Sequence, residues 1–275
     1  MTLPSPTGPI TSSRNPRVRA AAGLRERRAR DTTGLTLIDG IRELARAVSG
    51  GASVVEVFVD ASALPADGLA AVERAQAAGA ARVEVAGNVL ARLAYGDRAE
   101  GVVATVRIPD LALEALALPD RPLVAVVEGV EKPGNLGAVL RTADGAGADA
   151  VIAADPRTDL YNPNTVRASL GTIFAVPLAA GPSARVRDHL LSAGIRIVAA
   201  RVDGPIEYTA ADLSGPVAIV LGSEAEGLST TWDHPDVLPV RLPMLGVADS
   251  LNVSTAAAVL LYEARRQRGS REPLR

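Results

Sequence analysis

Three stretches of this 275-residue chain concentrate the polar groups that could act on a ligand: residues 129–141 (GVEKPGNLGAVLR), 222–228 (GSEAEGL) and 242–253 (LPMLGVADSLNV). In the first, Gly134, Asn135 and Gly137 surround the start of a helix with few side chains in its opening turn. Backbone N–H groups and an amide are thereby open to a ligand, and the helix dipole favours an anion. Arg141, further along the same helix, adds a cationic fork suited to phosphate. In the second, Glu224 stands just past a wholly apolar run, where a carboxylate needs a partner such as an arginine. Gly222 beside it permits close backbone approach. In the third, Ser250 and Asn252 precede the last helical pattern, with Leu242, Met244 and Leu251 around them.

Each stretch also has an ordinary reading. Asn135 could simply cap its helix and Arg141 face solvent; residues 222–227 could be a plain turn; Ser250 or Asn252 could cap the final helix. Leu242, Met244 and Leu251 could be core. What unites the stretches is their setting. They follow the apolar runs 123–127, 217–221 and 237–242, which read as buried strands, and helical patterns follow at least the first and third. Strand–loop–helix repeats predict an α/β fold with a parallel sheet, and such sheets bind ligands at the carboxyl ends of their strands.

Composition narrows the chemistry. With no cysteine, disulfides, thiolate catalysis and Cys-ligated zinc are excluded. His189 and His234 are the only histidines and lack metal-ligand spacing, so no metal is expected. Neither a Gly-x-Gly-x-x-Gly fingerprint nor a phosphate loop occurs. No apolar run reaches the roughly 20 residues that cross a bilayer, and the N-terminus does not read as a signal peptide. A soluble cytoplasmic protein is expected. The net charge of −2 hides crowding: Lys132 is the only lysine, while Arg14, Arg17, Arg19, Arg25, Arg27, Arg28 and Arg30 crowd the start and Arg265, Arg266, Arg268, Arg271 and Arg275 the end. Arginine in such density suits a polyanion, or else forms a solvated helix face.

Taken in order, residues 1–11 read as a disordered Pro/Ser/Thr-rich tail. Residues 12–106 read as a small α/β domain, opening with one helix from Pro16 to about Arg30. Residues 107–121, with prolines near both ends, read as a linker, and 122–275 as the second domain. The second domain is expected to hold a helix over 135–146, a helix over 163–170, a strand over 175–178 and a last helix from 252 to about 268.

The joint pattern Asn-x-Gly-x-x-x-Arg, Gly-Ser-Glu-x-x-Gly, then Leu-Pro-Met with Ser-Leu-Asn resembles the SpoU (TrmH) family of RNA ribose 2′-O-methyltransferases, within the SPOUT superfamily, over roughly residues 120–268. Residues 13–18 (SRNPRV), 37–44 (LIDGIREL) and 100–104 (EGVVA) also resemble the family's RNA-binding module, with Asp39 where the family usually has Glu. The resemblance implies a parallel-sheet domain with a C-terminal trefoil knot, a ribosomal-protein-like N-terminal module, a homodimer, and S-adenosylmethionine as cofactor. By position it places Ala200, Gly222, Ser223, Glu224, Leu242, Met244, Ser250 and Leu251 along the cofactor. It places Asn135, Arg141, Glu224, Ser250 and Asn252 at the reaction centre, and Arg167 facing RNA or the cofactor's carboxylate. Arg14, Arg17, Arg25, Arg28 and Arg30 are the expected RNA contacts beside it.

Relatives of this layout act mostly on large-subunit (23S) ribosomal RNA, some as antibiotic-resistance enzymes, so ribosomal RNA is favoured over transfer RNA. The rival readings are a transfer-RNA 2′-O-methyltransferase, a non-catalytic RNA-binding or ribosome-assembly protein of the same fold, and an α/β enzyme acting on a small nucleotide.

Overall fold

The computed structural model describes residues 8–95, 100–223 and 225–269. Glu224, Arg271, Arg275 and the first seven residues of the expected tail lie outside the described residues. The chain forms two compact units, residues 8–109 with 161–175, and residues 110–160 with 176–269.

In chain order the elements are α1 (Pro16–Gly23), α2 (Arg27–Thr33), β1 (Leu35–Asp39), α3 (Ile41–Ser49), β2 (Val54–Val59), α4 (Ala66–Ala77), β3 (Ala81–Glu84), α5 (Gly87–Leu93) and β4 (Val102–Arg107). Next come β5 (Leu123–Glu128), α6 (Pro133–Ala146), β6 (Ala150–Ala154), α7 (Pro163–Ala168), β7 (Leu178–Gly181), α8 (Ser183–Ser192) and β8 (Arg196–Ala200). The last four are β9 (Ile206–Glu207), β10 (Val217–Leu221), β11 (Val237–Arg241) and α9 (Val253–Arg268).

The first unit is a four-stranded mixed sheet in the order β1-β4-β2-β3. Its opening differs from expectation twice. Ile10 lies in the stretch read as disordered, yet it is buried and bridges Val85 beside β3, because one apolar residue among polar ones finds a core. The single expected helix is two, broken where Gly23 ends α1 and Leu24 turns inward to be buried. Residues 161–175, read from their place in the chain as part of the second domain, belong to this unit. Helix α7 packs on β1, the Thr36 hydroxyl donates to the Tyr161 carbonyl (2.6 Å), and Arg46 donates to the Leu170 carbonyl (2.7 Å).

The second unit is a seven-stranded parallel sheet in the order β7-β6-β5-β10-β8-β11-β9. Every residue of β5, β6 and β10 is buried, as expected of central strands covered on both faces and built, except for Glu128, of Val, Ala, Ile and Leu. The expected strand over 175–178 begins at Leu178 instead, preceded by a short 3-10 turn at Thr172–Phe174. Helix α9 buries Val253, Ala257, Leu260, Leu261 and Ala264, a 3.6-residue stripe, and packs on α6, β5 and β10.

Two of the C-terminal arginines serve this packing. Arg265 donates to the carbonyls of Ala146 and Gly147 (both 2.7 Å), satisfying the end of α6. Arg268 donates to the carbonyls of Arg121, Pro122, Leu213 and Gly215.

Candidate functional site

The loops after β8, β10 and β11 and the start of α9 enclose a cavity of about 490 Å³ at the carboxyl edge of the parallel sheet. Ala200 ends β8, and Gly222 and Ser223 follow β10. Leu242 and Met244 follow β11, Ser250 and Leu251 lead into α9, and Val253 and Ala256 of that helix form a wall. Apart from Glu224, every position expected to line a cofactor therefore faces this one space. The lining is mostly apolar, with the hydroxyl-bearing Ser223 and Ser250 and the charged Arg201, Asp203, Glu226 and Asp249 among it, the usual make-up of a small-molecule site.

The turn at Gly222 is tight for a visible reason. Ser223 and Gly227 exchange backbone hydrogen bonds (3.1 Å each), and the Ser223 hydroxyl accepts from the Glu226 N–H (3.0 Å). The chain returns so closely that a Cβ on Gly222 would lie within 2.5 Å of the Leu228 nitrogen. Gly227 completes the turn at φ +69°, a region costly for other residues.

A smaller cleft of about 70 Å³ lies between this loop and the one after β5. It shares Gly222, Ser223 and Val253 with the larger cavity, so the two spaces adjoin. Asn135 lines it. Helix α6 starts at Pro133, whose fixed φ suits a first helical position, so Asn135 falls inside the first turn and does not cap the helix. Its Oδ1 accepts from the Asn252 Nδ2 at 3.3 Å, across 117 residues of sequence. Asn252 is the N-cap of α9, the ordinary reading offered for it, accepting from the Ser254 N–H at 2.9 Å, and its amide also meets Asn135.

Arg141 is exposed on α6, lines neither space and has no side-chain partner among the described residues. Arg167 lies on α7 in the first unit, where it reaches the Tyr95 carbonyl (3.5 Å). Asp39 of the same unit accepts from the Tyr95 N–H (2.9 Å). The Tyr95 phenol is raised above its ordinary pKa, by burial first and then by the charge of Asp39.

Of the six arginines expected to meet RNA, Arg167 is half-buried on α7, and three of the other five are used internally. Arg30 is 2% exposed and donates to the carbonyls of Leu24 and Arg25 (2.7 Å each), so it offers no surface charge. Arg25 closes the end of α5 by donating to the carbonyls of Arg92, Leu93 and Ala94. Arg17 pairs with Glu56. Arg14 and Arg28 remain exposed, without a side-chain partner among the described residues.

Other charges at the edge of the site were not foreseen. Arg157 donates to Glu131 (2.8 Å) and Glu226 (2.5 Å), linking the loops after β5 and β10. Arg201 pairs with Asp203 and Asp233, which raises its own pKa and lowers that of Asp203. Glu128, at the end of β5, was also missed. The signal that singled out Glu224, an acid closing an apolar strand, was equally present there.

An open parallel sheet with a cavity at its carboxyl edge, closed by a terminal helix, is the frame of an α/β ligand-binding or transferase domain. Comparison with known proteins refines this. Residues 122–262 match the SpoU rRNA Methylase family, and residues 15–104 the MRM3-like substrate binding domain. The chain belongs to the SpoU rRNA methylase family. It is similar to the 23S rRNA (uridine(2479)-2′-O)-methyltransferase of Streptomyces viridochromogenes, at 32% identity over 96% of this chain and 94% of that one. It is similar to the 23S rRNA (guanosine-2′-O-)-methyltransferase RlmB of Ralstonia nicotianae, at 38% identity over 72% and 81%. The crystal structure of an AdoMet-bound rRNA methyltransferase from Sinorhizobium meliloti superposes with a TM-score of 0.86 at 28% identity, covering 96% of this chain and 99% of that one.

Proposed function

We propose that this chain is an S-adenosylmethionine-dependent methyltransferase acting on a ribose 2′-hydroxyl of large-subunit ribosomal RNA. The observation that carries the reading is the joining of a cofactor-sized cavity to a cleft where Asn135 and Asn252 meet. The residues present fit the cofactor: apolar walls at Ala200, Leu242, Met244 and Leu251 suit an adenine ring and methylene chain, and backbone groups at Gly222 and Ser223 suit its polar edges.

When bound, S-adenosylmethionine supplies a methyl group on a sulfonium, already electrophilic without a metal. The difficulty then lies with the hydroxyl, a poor nucleophile until its proton leaves. Asn135, Asn252 and Ser250 orient that hydroxyl. Arg141 clamps a phosphate of the RNA and stabilises the developing alkoxide, since a guanidinium stays protonated and is a poor base; the hydroxyl's proton passes to solvent water as the new oxygen–methyl bond forms. Its exposure, with no side-chain partner among the described residues, leaves it open to such a phosphate. Glu224 is assigned beside it from the resemblance alone.

The RNA is held in part by Arg14 and Arg28, the two expected contacts of the first unit left exposed and without a side-chain partner among the described residues. That unit takes the role of the ribosomal-protein-like module. Two further features belong to the same reading. The trefoil knot is taken from the resemblance, and the connection from β11 back to α9, packed on β10 and β5, is the one it would involve. Leu245 and Val247 beside the cavity are 98% and 103% exposed, and side chains so apolar and bare support a homodimer that covers them. Among the described residues no helix is long and apolar enough to cross a membrane, and the ribosomal substrate points to the cytoplasm.

Transfer of labelled methyl from S-adenosylmethionine to unmodified ribosomal RNA and to transfer RNA tests the reading. Label on a ribose of ribosomal RNA, absent with Arg141→Ala, is the expected result. Label on transfer RNA alone would move the substrate. RNA binding without cofactor binding would make the chain an RNA-binding protein of this fold.

A further inference from the structure

Glu128 is the last residue of β5 and only 6% exposed, yet it has no role in the proposed chemistry. A buried carboxylate ordinarily sits against a cation. Here all its partners are neutral donors from two other elements. Oε1 accepts from the Ser183 hydroxyl (2.6 Å) and the Ser229 hydroxyl (2.7 Å), and Oε2 accepts from the Ser229 N–H (2.7 Å). Only an acceptor with two oxygens can take all three at once.

The two arms differ in what they hold. Ser183 opens α8 and lines neither cavity. Ser229 closes the loop that began at Gly222, whose backbone lines the larger cavity and the cleft beside Asn135. The near end of that loop is fixed by β10 and by the close return of Gly227 onto Gly222. The far end is fixed by Glu128. Ser229 also caps the turn Thr230–Trp232, which carries the chain's single tryptophan, itself buried.

We propose that Glu128 is a positioning residue, one that sets the Gly222–Ser229 loop against the Asn135 loop through Ser229 and thereby fixes the geometry of cofactor binding. The inference rests on the reading of the larger cavity as the S-adenosylmethionine site. Glu128 also lines the smaller cleft, but three of the roughly four acceptor sites of its carboxylate are taken by Ser183 and Ser229, so its effect is carried by the loop.

The test uses the full chain with Glu128→Gln, Ser229→Ala and Ser183→Ala. It measures S-adenosylmethionine affinity by calorimetry and melting by Trp232 fluorescence. In Glu128→Gln three charge-assisted bonds become weaker neutral ones and the two hydroxyls must turn to accept from the amide, so affinity is expected to fall about tenfold. Ser229→Ala, which removes one hydroxyl and leaves the carboxylate, is expected to fall in the same direction. The double variant should be no weaker than Glu128→Gln alone, since both act through one contact. Ser183→Ala is expected to lower the melting temperature while leaving affinity within about twofold.

Wild-type affinity in both Glu128→Gln and Ser229→Ala overturns the inference alone. So does a loss in Ser183→Ala as large as that in Ser229→Ala, which would make Glu128 a support of the fold only. A wild-type chain that binds no cofactor would overturn the cavity's reading and the inference with it.

Discussion

The two units use their polar residues in opposite ways. In the first, arginines adjacent in sequence scatter in space: Arg30 goes inward to carbonyls, Arg25 to the end of α5, Arg17 to Glu56, and Arg14 and Arg28 outward. In the second, residues far apart in sequence converge: Asn135 meets Asn252, and positions from Ala200 to Leu251 share one cavity. Density along the chain is thus a weak guide to a binding face, because helix ends and turns consume nearby donors. Position just after a buried strand is a better one, because a parallel sheet brings all such positions to the same edge.

That contrast can be broken or sharpened by substitution. The largest effect is expected from Arg141→Ala: methyl transfer falls by about a thousandfold with S-adenosylmethionine affinity unchanged, the mark of a group acting in the transition state. Nearly full activity in Arg141→Lys would count against the clamp. Next comes Gly222→Ala. A methyl there meets backbone and not a flexible side chain, so cofactor affinity should fall by about a hundredfold in calorimetry while RNA binding persists.

Arg30→Ala should destabilise the first unit by about 2 kcal/mol in denaturant melts, by orphaning buried carbonyls. A loss of RNA affinity with unchanged stability would place Arg30 at the RNA after all. Arg14→Ala with Arg28→Ala should weaken RNA binding about tenfold and flatten its salt dependence, without moving stability. The smallest effect is expected from Arg157→Ala. Its two ion pairs are about half exposed, so stability should change by less than about 1 kcal/mol, and less still at high salt.

Much of the second unit was legible because its strands are apolar runs ended by Gly or Pro, and Asn252 announced the start of α9 as a cap should. Strand order was not, since β10 lies between β5 and β8 through pairings that no local pattern encodes. The same limit hid the allegiance of α7. Its helix was readable from Asn162-Pro163, but which sheet it covers is decided by Thr36 and Arg46, more than 120 residues away in sequence. Ile10 stands alone in a polar run, and Glu128 falls between the apolar run 123–127 and the stretch 129–141, assigned to neither. Arg30 was misread because a guanidinium looks the same in sequence whether it faces a phosphate or a carbonyl.

The discontinuity of the first unit has a consequence for how the protein can be made. A piece cut after residue 109 would leave β1 without α7, so the obvious dissection does not yield two whole parts. On the ribosome, N-terminal domains ordinarily finish first. Here the first unit waits for residue 175, and the cavity waits longer, for the helix that supplies Val253 and Ala256. Both halves of the proposed activity therefore mature late in translation, and a chain stalled before α9 has no complete cofactor site.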